Sequence, residues 1–298
     1  MSTKVVRRVR HTNAVEYIRT MRGGSQAKLM RCSDGGYYVV KFQNNPQGAR
    51  TLANDLIGTV LAAMLGLPVP EPAIVNVDQD LIRFTDDLAI CFRYRKEPCR
   101  EGLCFGSRYP MIGETLSAVY DLFPLTNMST VINLADFLGM LVFDKWTGNA
   151  DNRQVIFVRE DRPHDDSPHY HHRALMIDQG QCFDGSNWNF PDVPKKGVFF
   201  SPRPYANVDS IEAFKPWIEG LDCVSDNRVL EEIAADIPRD WYAGDSEGLS
   251  HLLAELDARR AKVRHLLVQT RCAIPRLFPA WNSSELGRKA GRASLSFG

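Results

Sequence analysis

The chain has 298 residues, enough for two packed units around one or two hydrophobic cores. Its 36 basic and 36 acidic side chains balance, so it lacks the basic excess that general nucleic-acid binders usually show. The hydrophobic content of 44% is that of an ordinary globular protein.

Cysteine usage and hydropathy restrict the class of protein further. The seven cysteines are scattered and form no C-x-x-C pair, which argues against a disulfide framework or a zinc site. The first residues lack an apolar signal core, and no segment approaches the roughly 18 apolar residues that a membrane span needs. We therefore predict a soluble cytoplasmic protein with reduced thiols.

The first predicted elements are two strands joined by a tight turn. Apolar runs at residues 29–32 and 37–42 flank a short polar segment that contains the Asp34-Gly35 step. Because an Asp-Gly step between apolar runs is a strong hairpin signal, we predict a β-hairpin here.

A helix and further strands follow the hairpin. Residues 49–65 carry apolar side chains at the helical period, and Gly66 and Pro68 end this predicted helix. Residues 74–77 are predicted to form the next strand, and residues 103–105 are a weaker strand candidate.

The middle of the chain predicts a helix and two more strands. Ser129 or Thr130 could cap a long helix that continues through Trp146, because apolar side chains recur along it at the helical period. Two short apolar runs, at residues 155–158 and 174–177, predict strands.

The remaining segments complete an α+β fold. The polar residues 159–173 are predicted to be an exposed loop, and the pattern is helical from residue 211 onward, most clearly at residues 248–268. We expect a β-rich N-terminal part over residues 1–110 and a mostly helical C-terminal part over residues 111–281. The polar composition of residues 282–298 predicts a flexible tail.

Lys41 is the most informative charged residue, because it lies in an otherwise apolar strand. A lysine that faces a cleft from such a strand needs an anion as its partner. The alternative is an edge-strand lysine in solvent. Asp55 lies beside the apolar stripe of the following helix and could pair with Lys41, although a solvated helix carboxylate is equally consistent with the sequence.

A glycine pair lies upstream of Lys41. Gly23, Gly24 and Ser25 precede the first strand of the hairpin. Glycines let the backbone approach phosphate groups closely, although most Gly-Gly pairs simply form turns.

Two acidic residues lie next to the predicted strands of the middle region. Asp151 follows a buried helix in the polar segment 143–154, and Asp178 comes just after a strand. Carboxylates at the ends of neighbouring strands can converge on one ion, and Mg²⁺ prefers such sparse ligation by oxygen. The alternative is a helix cap at Asp151 and a turn at Asp178.

These residues together supply the parts that phosphoryl transfer needs. That reaction requires a lysine on the phosphates, a carboxylate that fixes the lysine, a divalent metal and an aspartate that receives the proton of the attacking hydroxyl. Each part has a candidate in this chain.

Their order resembles that of the HipA-like kinases, distant relatives of protein kinases and phosphoinositide kinases. The similarity covers roughly residues 12–270 and lies mainly in residues 143–180. It is carried by the glycine turn, the strand Val-Val-Lys41, the pair Asn54-Asp55, the run Trp146-x-Gly-Asn149-x-Asp151-x-Arg153 and the run Ile177-Asp178-x-Gly180.

The resemblance implies a bilobal protein-kinase-like fold, with a β-rich N-lobe, a mostly helical C-lobe, and ATP and magnesium in the cleft. Lys41 would contact the ATP phosphates, Asp151 would be the catalytic aspartate and Asp178 would bind the metal. Gly23, Gly24, Ser25 and Asp55 would complete the nucleotide site. A protein serine or threonine would be the acceptor, and neither a membrane nor nucleic acid is an expected partner.

The chain departs from the family's pattern at two positions. Asp55 replaces the usual glutamate and is one methylene shorter, so its pair with Lys41 is expected to be long or bridged by water. Ile156 stands where a metal-binding asparagine is usual, so Gln154 is the nearest replacement and Asn149 is another candidate. The Ile156 departure leaves open a nucleotide-binding pseudokinase as an alternative. An AMP-transferring enzyme of the same fold is a second alternative. A toxin-like regulator bound to a partner and to DNA is a third, which the balanced charge supports little.

Overall fold

Strands dominate the first part of the chain and helices the second. The computed structural model describes residues 8–112, 115–116, 118–160, 170–224 and 227–281. The strands are β1 (Arg10–Thr20), β2 (Lys28–Cys32), β3 (Tyr37–Lys41), β4 (Pro72–Val77), β5 (Ala89–Phe92), β6 (Arg95–Pro98), β7 (Gly102–Arg108), β8 (Met111–Ile112), β9 (Thr115–Leu116), β10 (Val119–Tyr120), β11 (Gln154–Glu160) and β12 (His171–Ile177). The α-helices are α1 (Arg50–Met64), α2 (Gln79–Arg83), α3 (Asp136–Thr147), α4 (Lys215–Val224), α5 (Asn227–Ala235), α6 (Ser246–Arg259) and α7 (Val263–Ala273).

Five of these strands form a closed barrel in the order β1-β2-β3-β7-β4. The predicted β2–β3 hairpin and the β7 strand are confirmed, whereas β1 escaped prediction because its sequence is mostly polar and exposed. Since β3 pairs with β2 on one side and β7 on the other, Lys41 does not lie on an edge strand.

The alternation of side chains along β3 places Lys41 outside the barrel core. Tyr38 and Val40 are buried in the cluster that fills the barrel, whereas Val39 and Lys41 face the opposite side. A strand turns successive side chains to opposite faces, so a single register decides which of these residues reach the crevice described below.

Helix α1 confirms the predicted helix at residues 49–65 and is buried along nearly its whole length. Its apolar residues Leu52, Leu56, Ile57 and Leu61 share one core cluster with residues of α3. A helix that is buried on all sides connects the elements around it, and α1 contacts both β7 of the barrel and α3.

Helix α3 is shorter than predicted. It begins at Asp136 instead of Ser129 or Thr130, and a 3-10 helix occupies Leu125–Thr130. The prediction was wrong because Asn133 binds the main chain of β12: its amide donates to the Ala174 carbonyl at 3.0 Å and its oxygen accepts from the Ala174 N–H at 2.9 Å.

Strands β11 and β12 form an antiparallel hairpin that extends beyond the predicted strands. Residues 159, 160 and 171–173, predicted as loop, are paired in this hairpin, while residues 161–169 lie outside the described part of the chain. Gln154 pairs with Ile177, so the beginning of β11 and the end of β12 lie at the same end of the hairpin.

The predicted helix at residues 248–268 is two helices, α6 and α7, separated by a 3-10 turn at Arg260–Lys262. This break lets both pieces contact α3. The predicted tail, residues 282–298, lies outside the described residues. None of the helices in the described ranges is both long and apolar enough to span a bilayer.

A buried arginine holds the end of α3, whose last residues form the first part of the polar segment 143–154. Arg259 donates from Nε to the Trp146 carbonyl at 2.9 Å and from Nη2 to the Lys145 carbonyl at 3.0 Å. It also pairs with Asp192 at 2.8 Å. These carbonyls belong to the last turn of α3, where the helix itself supplies no donors.

Replacing Arg259 by alanine is expected to lower the free energy of unfolding by about 3 kcal/mol, because it leaves buried carbonyls without donors. Urea denaturation would measure the loss. Arg260→Ala is the matched control, since that exposed guanidinium pairs only at the surface with Asp222 and Asp257. It should cost less than about 1 kcal/mol. Equal losses in the two variants would contradict this role of Arg259.

Candidate active site

A crevice of about 560 Å³ lies between the barrel and the β11–β12 hairpin. Its volume is in the range of small-molecule binding sites. The lining includes Gly23 and Ser25 of the glycine turn, Val39 and Lys41 of β3, Asp55 and Thr59 of α1, and Gln154, Ile156 and Asp178 of the hairpin.

A second, larger cavity of about 680 Å³ lies on another face of α1. Val60 and Met64 of that helix line it together with Val69 and Pro70. Among the described residues that line it, Glu71 pairs with Arg108 at 3.1 Å and both side chains are exposed, whereas Lys41 and Asp55 of the first crevice form a buried ion pair. The first crevice is therefore the candidate active site.

Three charged groups meet in this crevice. Lys41 Nζ donates to Asp55 Oδ2 at 2.7 Å and to Asp178 Oδ1 at 2.8 Å. The lysine side chain is 8% exposed and that of Asp55 2%, whereas that of Asp178 is 19% exposed. The fold thus brings together residues that are 14 and 137 positions apart in the sequence.

The two carboxylates respond differently to the same lysine. Burial opposes the charge on Lys41, but Asp178 and Asp55 more than offset it, so the pKa of Lys41 lies above its ordinary value and the group stays cationic. Burial raises the pKa of Asp55 to about 6 despite the lysine, and the neighbouring charge of Asp178 adds to this effect. Burial also opposes the charge on Asp178, but Lys41, Arg153 and the Gly180 N–H together more than offset it, so the pKa of Asp178 is lowered.

The direct contact between Lys41 and Asp55 corrects the expectation of a long or water-bridged pair. Helix α1 and the Asp178–Gly180 segment also lie very close together. A Cβ on Gly58 would lie 2.7 Å from the Gln179 side chain, and one on Gly180 would lie 3.1 Å from Asp55 Oδ2. Two glycines therefore let α1 and the main chain after Asp178 approach each other closely.

A buried ion pair organises the polar segment 143–154. Arg153 donates from Nε to Asp144 Oδ2 at 2.8 Å and makes a second contact from Nη2 to Asp144 Oδ1. Its Nη1 donates to the Ile177 carbonyl at 2.7 Å, immediately before Asp178. Sequence reasoning missed the role of Asp144. An aspartate inside the buried part of a predicted helix was the signal that could have found it, because such a charge needs a partner.

Asp151 lies on the loop that this ion pair supports, and Gln154 is the first residue of β11 just after it. Asp151 is half-buried, and its carboxylate accepts from the Asn152 N–H at 2.7 Å and from the Gln154 amide at 3.4 Å. Gln154 lines the crevice directly, whereas Asp151 is connected to the crevice through Gln154.

Asn149 does not reach the crevice. Its amide donates to Asp144 Oδ1 at 2.9 Å and its oxygen accepts from the Asp151 N–H at 3.0 Å, so both polar ends are used within the loop. The structure therefore separates Asn149 from the other residues predicted to bind metal, Asp178 and Gln154.

The glycine turn contributes unequally to the crevice. Gly23, with φ at +121°, and Ser25 line it, whereas Gly24 does not and lies beside the Gln47 side chain. Ile156 lines the crevice where the family's pattern has asparagine, so an apolar side chain takes that place on the wall.

The oxygen atoms of the protein in the crevice suit a hard divalent cation whose remaining ligands would be oxygens of a bound substrate. No group of three or more His, Cys, Asp or Glu residues suited to a metal occurs in the part of the chain that the structure describes. Asp178 retains Oδ2, because Lys41 takes Oδ1, and Gln154 offers an amide oxygen. Mg²⁺ commonly binds through one or two protein oxygens and substrate phosphates, so this sparse set of donors suits it.

Comparisons with known proteins agree with this geometry. A family model described as HipA-like kinase matches residues 15–270 of the chain. Among solved structures, the crystal structure of the proinflammatory kinase CtkA from Helicobacter pylori aligns with a TM-score of 0.52 at 14% identity, covering 88% of this chain and 99% of that one. The expectation of an α+β, kinase-like fold is confirmed, while the division at residue 110 stays a prediction.

More distant structural similarities were also found. Two crystal structures of the Golgi casein kinase align with TM-scores of 0.42, for the one with manganese and ADP bound, and 0.39. Both are 10% identical to the chain and cover 88% of it, and the chain covers 73% and 72% of theirs. None of the curated proteins matches the chain.

The raised pKa of Asp55 predicts an unusual pH dependence of stability. The folded protein binds this proton below about pH 6, whereas the unfolded chain does so only near its ordinary value of about 4. Lowering the pH from 7 to 5 should therefore stabilise the wild type relative to Asp55→Asn by about 1 kcal/mol.

Urea denaturation of both proteins at the two pH values would measure this change. Asp209→Asn is the control, since that carboxylate is exposed and should show no such difference. A stability difference between wild type and Asp55→Asn that stays constant or reverses would contradict the raised pKa.

Proposed function

The chain belongs to the HipA-like kinase family and is a kinase-like phosphotransferase, and we propose that it transfers the γ-phosphoryl group of ATP to a hydroxyl group. A serine or threonine of a protein is the proposed acceptor, on the strength of the family resemblance. Magnesium is the proposed metal.

One observation carries this proposal: a buried lysine lies between two carboxylates in a crevice large enough for a nucleotide. The Lys41 charge lies within 2.8 Å of both Asp55 and Asp178. A structural ion pair would be satisfied by one carboxylate. A second acid, on the wall of a crevice that the glycine turn also lines, is the arrangement that phosphate binding and metal binding require together.

Lys41 is proposed to hold the phosphates of ATP. Its raised pKa keeps the ammonium charged at every physiological pH. Asp55 fixes the direction of this side chain from α1 and also accepts from the Gln179 N–H at 2.9 Å. Gly23 and Ser25 line the same crevice and would approach the phosphates through the backbone.

Asp178 and Gln154 are the proposed metal ligands. A bound magnesium ion would neutralise the charge that develops on the phosphate oxygens. Asp178 stays ionised at neutral pH, because its pKa is lowered by Lys41. Arg153 holds the backbone just before Asp178, so this carboxylate is directed from a rigid position.

Asp151 is proposed to receive the proton of the acceptor. In the transfer, the acceptor oxygen forms a bond to the γ-phosphorus while the bond from that phosphorus to the bridging oxygen of ADP breaks. The hydroxyl proton passes to Asp151, and ADP leaves with the bonding electron pair.

The two alternatives of the same fold predict different fates for the phosphates of ATP. A pseudokinase would bind ATP and transfer nothing, and Ile156 on the crevice wall favours this alternative because it removes one metal ligand. An AMP-transferring enzyme would leave the α-phosphate on the product. ATP labelled at the γ or the α position distinguishes the three outcomes.

Asp151→Asn is expected to reduce phosphoryl transfer by at least about a hundredfold, because the amide cannot accept the proton. Nucleotide affinity should change less than about twofold, since Asp151 lies beyond the crevice wall. Transfer from γ-labelled ATP to the protein itself or to a mixed peptide substrate, with calorimetry of ATP binding, would measure both quantities.

Asp209→Asn is the matched control, because this exposed carboxylate belongs to neither the crevice nor its supporting loop. Turnover in Asp151→Asn equal to that of the control would reject the assignment of Asp151. An α label retained on the product would instead favour an AMP-transferring enzyme. Binding of ATP without transfer by the wild type would favour a pseudokinase.

A further inference from the structure

Two adjacent faces of α1 carry different contacts. Asp55 and Thr59, one helical turn apart, line the crevice. Arg50, Asn54 and Gly58, also spaced by single turns, face the segment Gln179–Trp188, which follows Asp178 and is called the post-Asp178 segment below. Residues spaced by four share one face of a helix, so residue 54 faces the post-Asp178 segment, whereas residue 55 faces the crevice and accepts a hydrogen bond from the first residue of that segment.

Asn54 makes an unusually complete set of hydrogen bonds to this segment. It is fully buried. Its amide nitrogen lies within hydrogen-bonding distance of the carbonyls of Gly180 at 2.9 Å, Cys182 at 3.1 Å and Gly185 at 2.8 Å, so its two N–H groups are shared among three acceptors. Its oxygen accepts from the Trp188 indole at 2.8 Å. A single side chain therefore binds the post-Asp178 segment at four positions.

The backbone of this segment needs such support. Phe183, Asp184 and Trp188 all have positive φ, at 61°, 63° and 56°, and Asp178 itself has a φ of 57°. Non-glycine residues adopt this conformation only at a cost in free energy. Contacts with α1 hold the segment in a conformation that its own residues disfavour.

The neighbouring residue connects the same helix to the beginning of the segment. Asp55 accepts from the Gln179 N–H through one oxygen and from Lys41 through the other. Asn54 and Asp55 therefore hold the main chain on the C-terminal side of Asp178 from one helix. The orientation of the Asp178 carboxylate depends on where that main chain lies.

We propose that Asn54 is a positioning residue that sets the orientation of Asp178 toward the metal and phosphates, acting through the backbone of the post-Asp178 segment. The inference rests on the proposed function, because it assigns Asp178 to metal binding. It predicts that the loss of Asn54 impairs metal binding more than nucleotide binding, since Lys41 is held independently by β3 and Asp55.

A purely structural role for Asn54 makes a different prediction. In that case its removal would lower stability, and the protein that remains folded would bind metal and nucleotide as before. Asn133→Ala provides the matched control, because Asn133 also binds backbone groups, those of Ala174, and its hydrogen bonds in the described residues go to Ala174 and Asp136.

The test measures two affinities in wild type, Asn54→Ala and Asn133→Ala. The first is that of a non-hydrolysable ATP analogue in the presence of a metal chelator. The second is that of Mn²⁺ at saturating analogue, followed by paramagnetic resonance. We expect Asn54→Ala to weaken Mn²⁺ binding at least about tenfold and analogue binding less than twofold, with Asn133→Ala leaving both unchanged.

A second variant keeps the test decisive if Asn54→Ala fails to fold. Trp188→Phe removes the indole N–H that orients the Asn54 amide, together with one ring of the indole, and retains an aromatic ring beside Arg50. It should weaken Mn²⁺ binding about two- to fivefold with the affinity for the analogue unchanged. Unchanged Mn²⁺ affinity in the folded variants, or equal weakening of both affinities, would overturn the positioning role.

The two proposals fail in different ways. A wild-type protein that binds neither the analogue nor Mn²⁺ contradicts the proposed function, and this inference with it. A wild type that binds both, with variants that bind Mn²⁺ as tightly, contradicts only the role of Asn54.

Discussion

The charge of Lys41 is the constraint on which the site depends. A buried ammonium is stable only where anions surround it, and here it lies between Asp55 and Asp178 at hydrogen-bonding distance. Each carboxylate comes from a different structural element, so the ion pairs also fix the barrel, α1 and the β11–β12 hairpin relative to one another. The pKa of Asp55 is raised whereas that of Asp178 is lowered, so the more exposed Asp178 keeps its charge and is available to a ligand.

The surrounding structure supports this arrangement from two sides. On one side, α1 approaches the chain after Asp178 so closely that Gly58 and Gly180 leave no room for a Cβ without displacement of their neighbours. On the other side, the buried pair of Asp144 and Arg153 connects the end of α3 to the last residue of β12. Both supports act on the backbone next to Asp178. A carboxylate held in this way can bind a ligand with little loss of conformational freedom.

Local sequence patterns predicted the strands and helices that carry the site, and they failed where distant contacts override local preference. The β2–β3 hairpin, α1 and the cores of β11 and β12 follow from turn chemistry and hydrophobic periodicity. The beginning of α3 was misplaced because Asn133 binds the main chain of β12, 41 residues away. Strand β1 went unrecognised because its polar sequence becomes a strand only by pairing with β2 and β4.

The sequence by itself determined the chemical inventory: a lysine in an apolar strand, a helix carboxylate, a glycine turn and two acidic residues beside strands. Only the tertiary structure decided how these groups are combined. In it, Lys41 and Asp55 form a direct hydrogen bond and Gln154 lines the crevice. The Asn149 side chain instead binds Asp144. The physical reason is that residue type and periodicity define which face of an element a side chain occupies. The distance between two faces depends on close packing, here on two glycines and one buried ion pair, which no local pattern encodes.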